Sequence, residues 1–159
     1  MFRVWLSSHI NKMCGIVGLY LKNKKYNKDL GKFLTGMMNN MSTRGPDSAG
    51  FAIYSTERKK KYKYSICYND NNIKEIKKKL SKEIKDAKIK IISDHFVLET
   101  ALKPEKVITL IKSIKNLNLV GYGSSIEIFK QVGNPKDVVN NFSLKNFSGT
   151  HAIGHTRMA

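Results

Sequence analysis

Hydrophobic and polar positions change period several times along the chain, and each change predicts an element. Cys14 to Leu21 (CGIVGLYL) carries two glycines and no charge, which predicts a buried strand. Between Asn27 and Ser42 the apolar residues Leu30, Phe33, Leu34, Met37, Met38 and Met41 recur at helical spacing, with Asn27 as the expected N-cap. The methionines of that stripe read as core packing rather than as a metal or cofactor box. Ser42-Thr43-Arg44-Gly45-Pro46-Asp47 breaks the helix, and Phe51 to Ser55 resumes as a strand. From Glu57 to Gly123 the pattern turns Lys-rich and alternating. Tyr62 to Tyr68 predicts a strand, and Ile73, Ile76, Leu80, Ile84 and Ala87 mark an amphipathic helix. Lys88 to Ser93 and Phe96 to Leu102 alternate about a turn at Asp94-His95. Pro104 opens a helix that buries Val107, Ile108, Leu110, Ile111, Ile114 and Leu117, and Leu119 to Tyr122 follows as a strand. Ser125 to Val132 predicts a strand, Pro135 to Phe142 a short helix, and Thr150 to Met158 a buried strand.

The order β-α-β-β-α-β within residues 57–123 is that of a ferredoxin-like split βαβ unit, here an insert with a core on Ile76, Leu80, Val107, Ile111 and Ile114. A length of 159 residues suits one domain with a small insert and can bury a real core. Hydrophobic content of 41% with 26% charged residues argues against wholesale disorder. No apolar run approaches the roughly 20 residues that span a bilayer. Met1 to Lys12 has no apolar h-region and no small-residue cleavage site, and Cys14 and Cys67 make no disulfide framework. The expected location is the cytoplasm. The net charge of +17 is almost all lysine, with only Arg3, Arg44, Arg58 and Arg157 to set against it. A Lys-, Asn- and Ile-rich chain is what AT-rich coding gives any protein, and Arg forks with interleaved aromatics are scarce. A nucleic-acid partner is therefore not expected.

Cys14 follows Met13 directly. With Met13 as the true start and then trimmed, Cys14 becomes the first residue. An N-terminal cysteine holds its nucleophile and its base together, because the α-amine, with a pKa near ~7.7, shuttles the proton at neutral pH. Three motifs accompany one another in order: Met13-Cys14-Gly15-Ile16-Val17-Gly18, Arg44-Gly45-Pro46-Asp47-Ser48-Ala49-Gly50 and Gly154-His155-Thr156-Arg157-Met158-Ala159. Together they resemble the class II (N-terminal nucleophile) glutamine amidotransferases. Ile126 to Gly133, ahead of Gly149 to Arg157, is similar to the stand-alone amidotransferase subunit or domain of glutamate synthase.

That resemblance implies an α+β fold, part of an αββα sandwich. Residues 13–56 and 124–159 would form an amidotransferase half-domain, 57–123 the insert, and 1–12 a leader or start-site extension. It also implies roles. Cys14 would attack the glutamine side-chain amide, forming a γ-glutamyl thioester and releasing ammonia to a synthase subunit, and water would then free glutamate. Arg157 would pair bidentately with the substrate α-carboxylate, with Thr156 and His155 beside it in the substrate-binding segment. Arg44, Gly45 and Asp47 would sit in the loop near the nucleophile, where a bracing ion pair and a direct contact remain equally open. No cofactor is implied.

His151 and His155 have the i, i+4 spacing of a zinc helix, but their glycine- and threonine-rich surroundings read as strand, where that spacing is some ~13 Å. No metal is expected there. The family's Asn-Gly oxyanion pair and the Asp that takes the substrate amine would lie downstream of Arg157, and the 159 residues hold neither. The expectation is a truncated product or a split subunit. Alternatives are a non-catalytic fragment that packs on another subunit, or a binding module acting through the basic insert. Loss of one oxyanion donor costs about 2.7–4 kcal/mol of transition-state stabilisation. The 159-residue chain alone is thus expected to release no ammonia from glutamine. Turnover that disappears in Cys14→Ala would overturn that expectation.

Overall fold

The computed structural model describes residues 14–57, 60–69 and 72–156. Two four-stranded antiparallel sheets account for all eight strands described, and four α-helices cover them. Strands β1 (Gly15–Tyr20), β2 (Ser48–Tyr54), β7 (Ile126–Val132) and β8 (His151–Thr156) form the first sheet in the order β1-β8-β2-β7. Strands β3 (Tyr62–Tyr68), β4 (Lys88–Ile92), β5 (His95–Thr100) and β6 (Leu117–Gly123) form the second in the order β4-β5-β3-β6.

Helices α1 (Leu30–Asn40) and α4 (Pro135–Asn141) pack on the first sheet. On α1 the buried stripe is narrower than the sequence pattern suggests: Leu30, Leu34 and Met38, at i, i+4 and i+8, are fully buried. Phe33 points outward beside Tyr26. Asn27 is not the N-cap. Residues 24–29 form a 3-10 turn capped by Asn23, and α1 starts one turn later, after Asp29. Behind α1, four phenylalanines interlock. Phe51 lies 5.3 Å from Phe129, 5.7 Å from Phe142 and 5.8 Å from Phe147, centroid to centroid, the last two edge-on.

Helices α2 (Ile73–Glu83) and α3 (Pro104–Ser113) belong with the second sheet, whose core gathers Tyr64, Ile66, Phe96 and Leu98 with Ile76, Leu80, Val107, Ile111 and Ile114. Asp86, in the turn before β4, accepts from Thr100 Oγ1 at 2.6 Å and from Ala101 N at 2.7 Å. Those bonds, the Thr100 hydroxyl first, hold its carboxyl below the usual range. Strand β5 departs from the one-faced alternation read from the sequence, since all six of its residues are buried. Phe96 and Leu98 belong to the core of the second sheet, while Val97 joins the core of the first.

The two sheets meet through β7. Its Ile128 N–H donates to Ser65 Oγ at 2.8 Å, and Glu127 forms an ion pair with Lys63 Nζ, which also donates to Ser55 Oγ at 3.0 Å. Any side chain on Gly121 or Gly123 would collide with Ile128 or Ile126, so these glycines let β7 cross close over β6. The Lys90 ammonium lies 5.4 Å from the Phe147 ring centroid, a further tie across the junction.

Two sets of variants test this packing in urea denaturation. A Cβ on Gly31 would strike the backbone carbonyls of Leu144 and Phe147, whereas nothing lies near Gly36. Gly36→Ala should therefore stabilise by about 0.5–1 kcal/mol through helix propensity, and Gly31→Ala should destabilise despite the same propensity gain. Lys63 and Glu127 keep only 9% and 17% of their side-chain surfaces exposed. Glu127→Ala strands a buried ammonium and should cost about 3 kcal/mol, and the double variant Lys63→Met/Glu127→Leu should recover most of that.

Candidate active site

Register brings the three sequence motifs to one end of the first sheet. Strand β8 lies between β1 and β2, and Thr156 stands opposite Gly15 on one side and Ala49 on the other. Ser48 faces Val132 at the same end. The start of β1, the start of β2, the finish of β7 and the finish of β8 therefore share one rim. Cys14, exposed, is the residue just before β1.

Small residues and a hydroxyl set the floor of this rim. Gly15 N donates to Thr156 Oγ1 at 3.1 Å, and Thr156 is fully buried. A side chain at Gly15 would run into Met41 and into that hydroxyl, so the position after Cys14 admits only glycine without a shift. The turn from α1 into β2 passes alongside, with Arg44 N donating to Met41 O at 3.0 Å. Gly45 is buried there, and Arg44 and Asp47 are exposed. The Asp47 carbonyl accepts from Gly133 N at 2.9 Å, tying this turn to the end of β7. Gly133 has φ +135°, a backbone conformation that favours glycine.

Burial alternates along β8, with Ala152, Gly154 and Thr156 inward and His151, Ile153 and His155 on the other face. His155 and Thr156, expected as neighbours in one substrate-binding segment, therefore lie on opposite faces of the strand. His155 stands across from Ile16 and Gly50. His151 stacks on Tyr54 at 4.3 Å between centroids. Met13 and the leader, like Arg157, Met158 and Ala159, lie outside the described residues.

A cavity of about 420 Å³ opens at the other end of β2, lined in part by Ser55, Lys63, Lys90, Glu127 and Ser148. Six residue steps along β2, about 20 Å, separate that end from the Cys14 rim. A second group escaped the sequence reading. Cys67, Asp94 and His95 converge where β3 meets β5, and burial followed by the Asp94 carboxylate pushes the Cys67 thiol up. The turn expected at Asp94-His95 falls instead at Ser93-Asp94, and His95 is the fully buried first residue of β5. Nothing local in the sequence marks the trio, because only strand pairing brings Cys67 opposite His95.

Among the described residues, no helix is long and apolar enough to cross a membrane. No family model matches the chain. It is 39% identical over 151 residues to the glutamine amidotransferase-like protein GlxB of Rhizobium meliloti (strain 1021), a match covering 92% of this chain and 50% of that protein. A protein of Methanothermobacter thermautotrophicus that carries a provisional glutamine amidotransferase name is 31% identical over 160 residues, covering 92% of this chain and 52% of its own. The chain thus spans about half the length of these relatives, and along nearly all of its own length it is similar to proteins named for glutamine amidotransfer.

Proposed function

We propose that this chain carries the nucleophile-bearing part of a class II glutamine amidotransferase that works in the cytoplasm and passes ammonia to a synthase of the glutamate-synthase kind. The observation that carries the reading is the shared rim: Cys14, the 44–47 turn and Thr156 come from three distant stretches, and strand register sets them at one end of one sheet. In this reading the Cys14 thiolate adds to the glutamine side-chain carbonyl carbon. The C–N bond breaks, ammonia leaves with a proton from the Cys14 α-ammonium, and a thioester remains. The amine then takes a proton from water, hydroxide attacks the thioester carbonyl, and glutamate departs as the thiol is restored. The mechanism requires Cys14 to have a free amine. Arg157, next after Thr156, grips the substrate carboxylate with its planar fork.

The layers support the fold half of the proposal. Helices cover one face of the first sheet, while Ile16, Tyr20 and Ile153 on the other keep 71%, 70% and 46% of their surfaces exposed. An apolar sheet face of this kind suits a second αβ layer, as an αββα sandwich demands. The second sheet, read in the order β6-β3-β5-β4, suits a ferredoxin-like insert over residues 57–123.

A diazoketone analogue of glutamine tests the site. Mass spectrometry should find it on Cys14 of chains that begin at Cys14, with Cys67 unmodified and Cys14→Ala unlabelled. Arg157→Ala should slow labelling roughly ten- to hundredfold, the value of charged hydrogen bonds to a carboxylate. Labelling of Cys67, or of chains that retain Met13, would overturn the reading.

A further inference from the structure

Three metal-ligating side chains meet at the edge of the junction between the sheets. Cys67 on β3 stands directly opposite His95 on β5, and Asp94 precedes His95 in the turn. Ser93, at φ +55°, makes that turn tight, and Tyr68 N donates to the Asp94 carbonyl at 3.0 Å. One ligand atom from each of Cys67, Asp94 and His95 lies within 4.8 Å of the others. His95 Nδ1 is 2.8 Å from Asp94 Oδ1, and the second carboxylate oxygen accepts from Gln131 Nε2 at 3.1 Å. Asn141 Nδ2 in turn donates to Gln131 Oε1 at 2.9 Å. The His95 ring is fully buried, with Phe142 nearly perpendicular to it at 5.1 Å, and its Nε2 has no hydrogen-bond partner. The Asp94 side chain keeps 36% of its surface, which leaves a route from solvent.

We propose that Cys67, Asp94 and His95 bind a zinc-class divalent cation through Sγ, one carboxylate oxygen and Nδ1, with a fourth position open beside Asp94. The donor set selects the ion. Magnesium and calcium take oxygen ligands, copper(I) prefers sulfur, and zinc accepts thiolate, imidazole and carboxylate together. Tetrahedral ligand atoms at zinc distances lie about 3.3–3.8 Å apart, so the widest separation in the trio must close by roughly 1 Å while the His95 Nδ1–Asp94 Oδ1 pair opens by about 0.5–1 Å, both within reach of side-chain rotation at Cys67 and Asp94. On binding, the thiol loses its proton to solvent, and the imidazole coordinates through Nδ1 with its remaining proton on Nε2. That tautomer turns an unpartnered buried acceptor into an N–H beside the Phe142 ring. Gln131 and Asn141 orient the carboxylate from behind, as outer partners of metal ligands do. The ligands come from β3, the β4–β5 turn and β5 of the second sheet, and Gln131 from β7 of the first, so the ion would fix Asp94 in the position that ties one sheet to the other through Gln131.

Cobalt(II) titration of the purified 159-residue chain reads the site directly. The expected result is one cobalt per chain with a thiolate-to-metal charge-transfer band, displaced by zinc. Cys67→Ser should lose the band and weaken binding at least tenfold while melting at the wild-type temperature without metal. Gln131→Ala should weaken binding roughly ten- to hundredfold. Cys14→Ser, which removes the other thiol, should leave the band intact. Zinc should raise the melting temperature of the wild type but not of Cys67→Ser. A wild type without the band overturns the proposal. So does a band that survives Cys67→Ser, or one that vanishes with Cys14→Ser, which would place the metal at the N-terminal thiol.

Discussion

Strand β7 has one edge against β2 and would otherwise present the second to water, and the way that second edge is satisfied organises the molecule. An unpaired strand edge invites pairing with other chains, and a buried unpaired N–H costs about 1–3 kcal/mol. Here the Ile128 N–H is taken up by the Ser65 hydroxyl of the other sheet, and the Lys63–Glu127 pair lies beside it. These contacts require β7 to lie across β6 and β3 at close range, which the bare backbones of Gly121 and Gly123 permit. Once β7 is fixed, Phe129 is fixed with it, and so is the aromatic cluster that supports α4 and the back of the first sheet. The rim bearing Cys14 is thus held from a distance by polar contacts in which it takes no part.

Much of this arrangement could be read from periodicity. The helix from Pro104 shows burial of one face only, and such an element announces itself by spacing. The core positions Ile76, Leu80, Val107, Ile111 and Ile114 were legible for the same reason. What the pattern misjudged were residues serving two neighbours or none. Phe33 has helical spacing yet sits beside Tyr26 at the surface, because it falls at the margin of the narrow buried stripe of Leu30, Leu34 and Met38. Strand β5 is buried on both sides, so its alternation of His95, Val97 and Glu99 with Phe96 and Leu98 separates two interiors rather than core from solvent.

The candidate site was legible in a different way. Its motifs are short and rich in glycine, and two of those glycines mark a close approach rather than a periodicity: Gly15 against Met41 and Thr156, Gly154 against Met38 and Val17. The separation of His155 from Thr156 follows from strand geometry, since consecutive residues of a strand face opposite ways. Cys67, Asp94 and His95 left no trace because their proximity is a product of pairing across β3 and β5.

Among the described residues, strand β1 has β8 as its only ladder partner, and the two are separated along the chain by the whole of the second sheet. During synthesis on the ribosome β1 therefore emerges about 130 residues ahead of that partner, which are made at roughly 5–20 residues per second. For that interval, some seconds to half a minute, the backbone edge of β1 stands unpaired and open to any other strand. Sheet closure then withdraws it. A hairpin partner for β1 would have covered that edge almost at once, so the connectivity lengthens its exposure to mispairing.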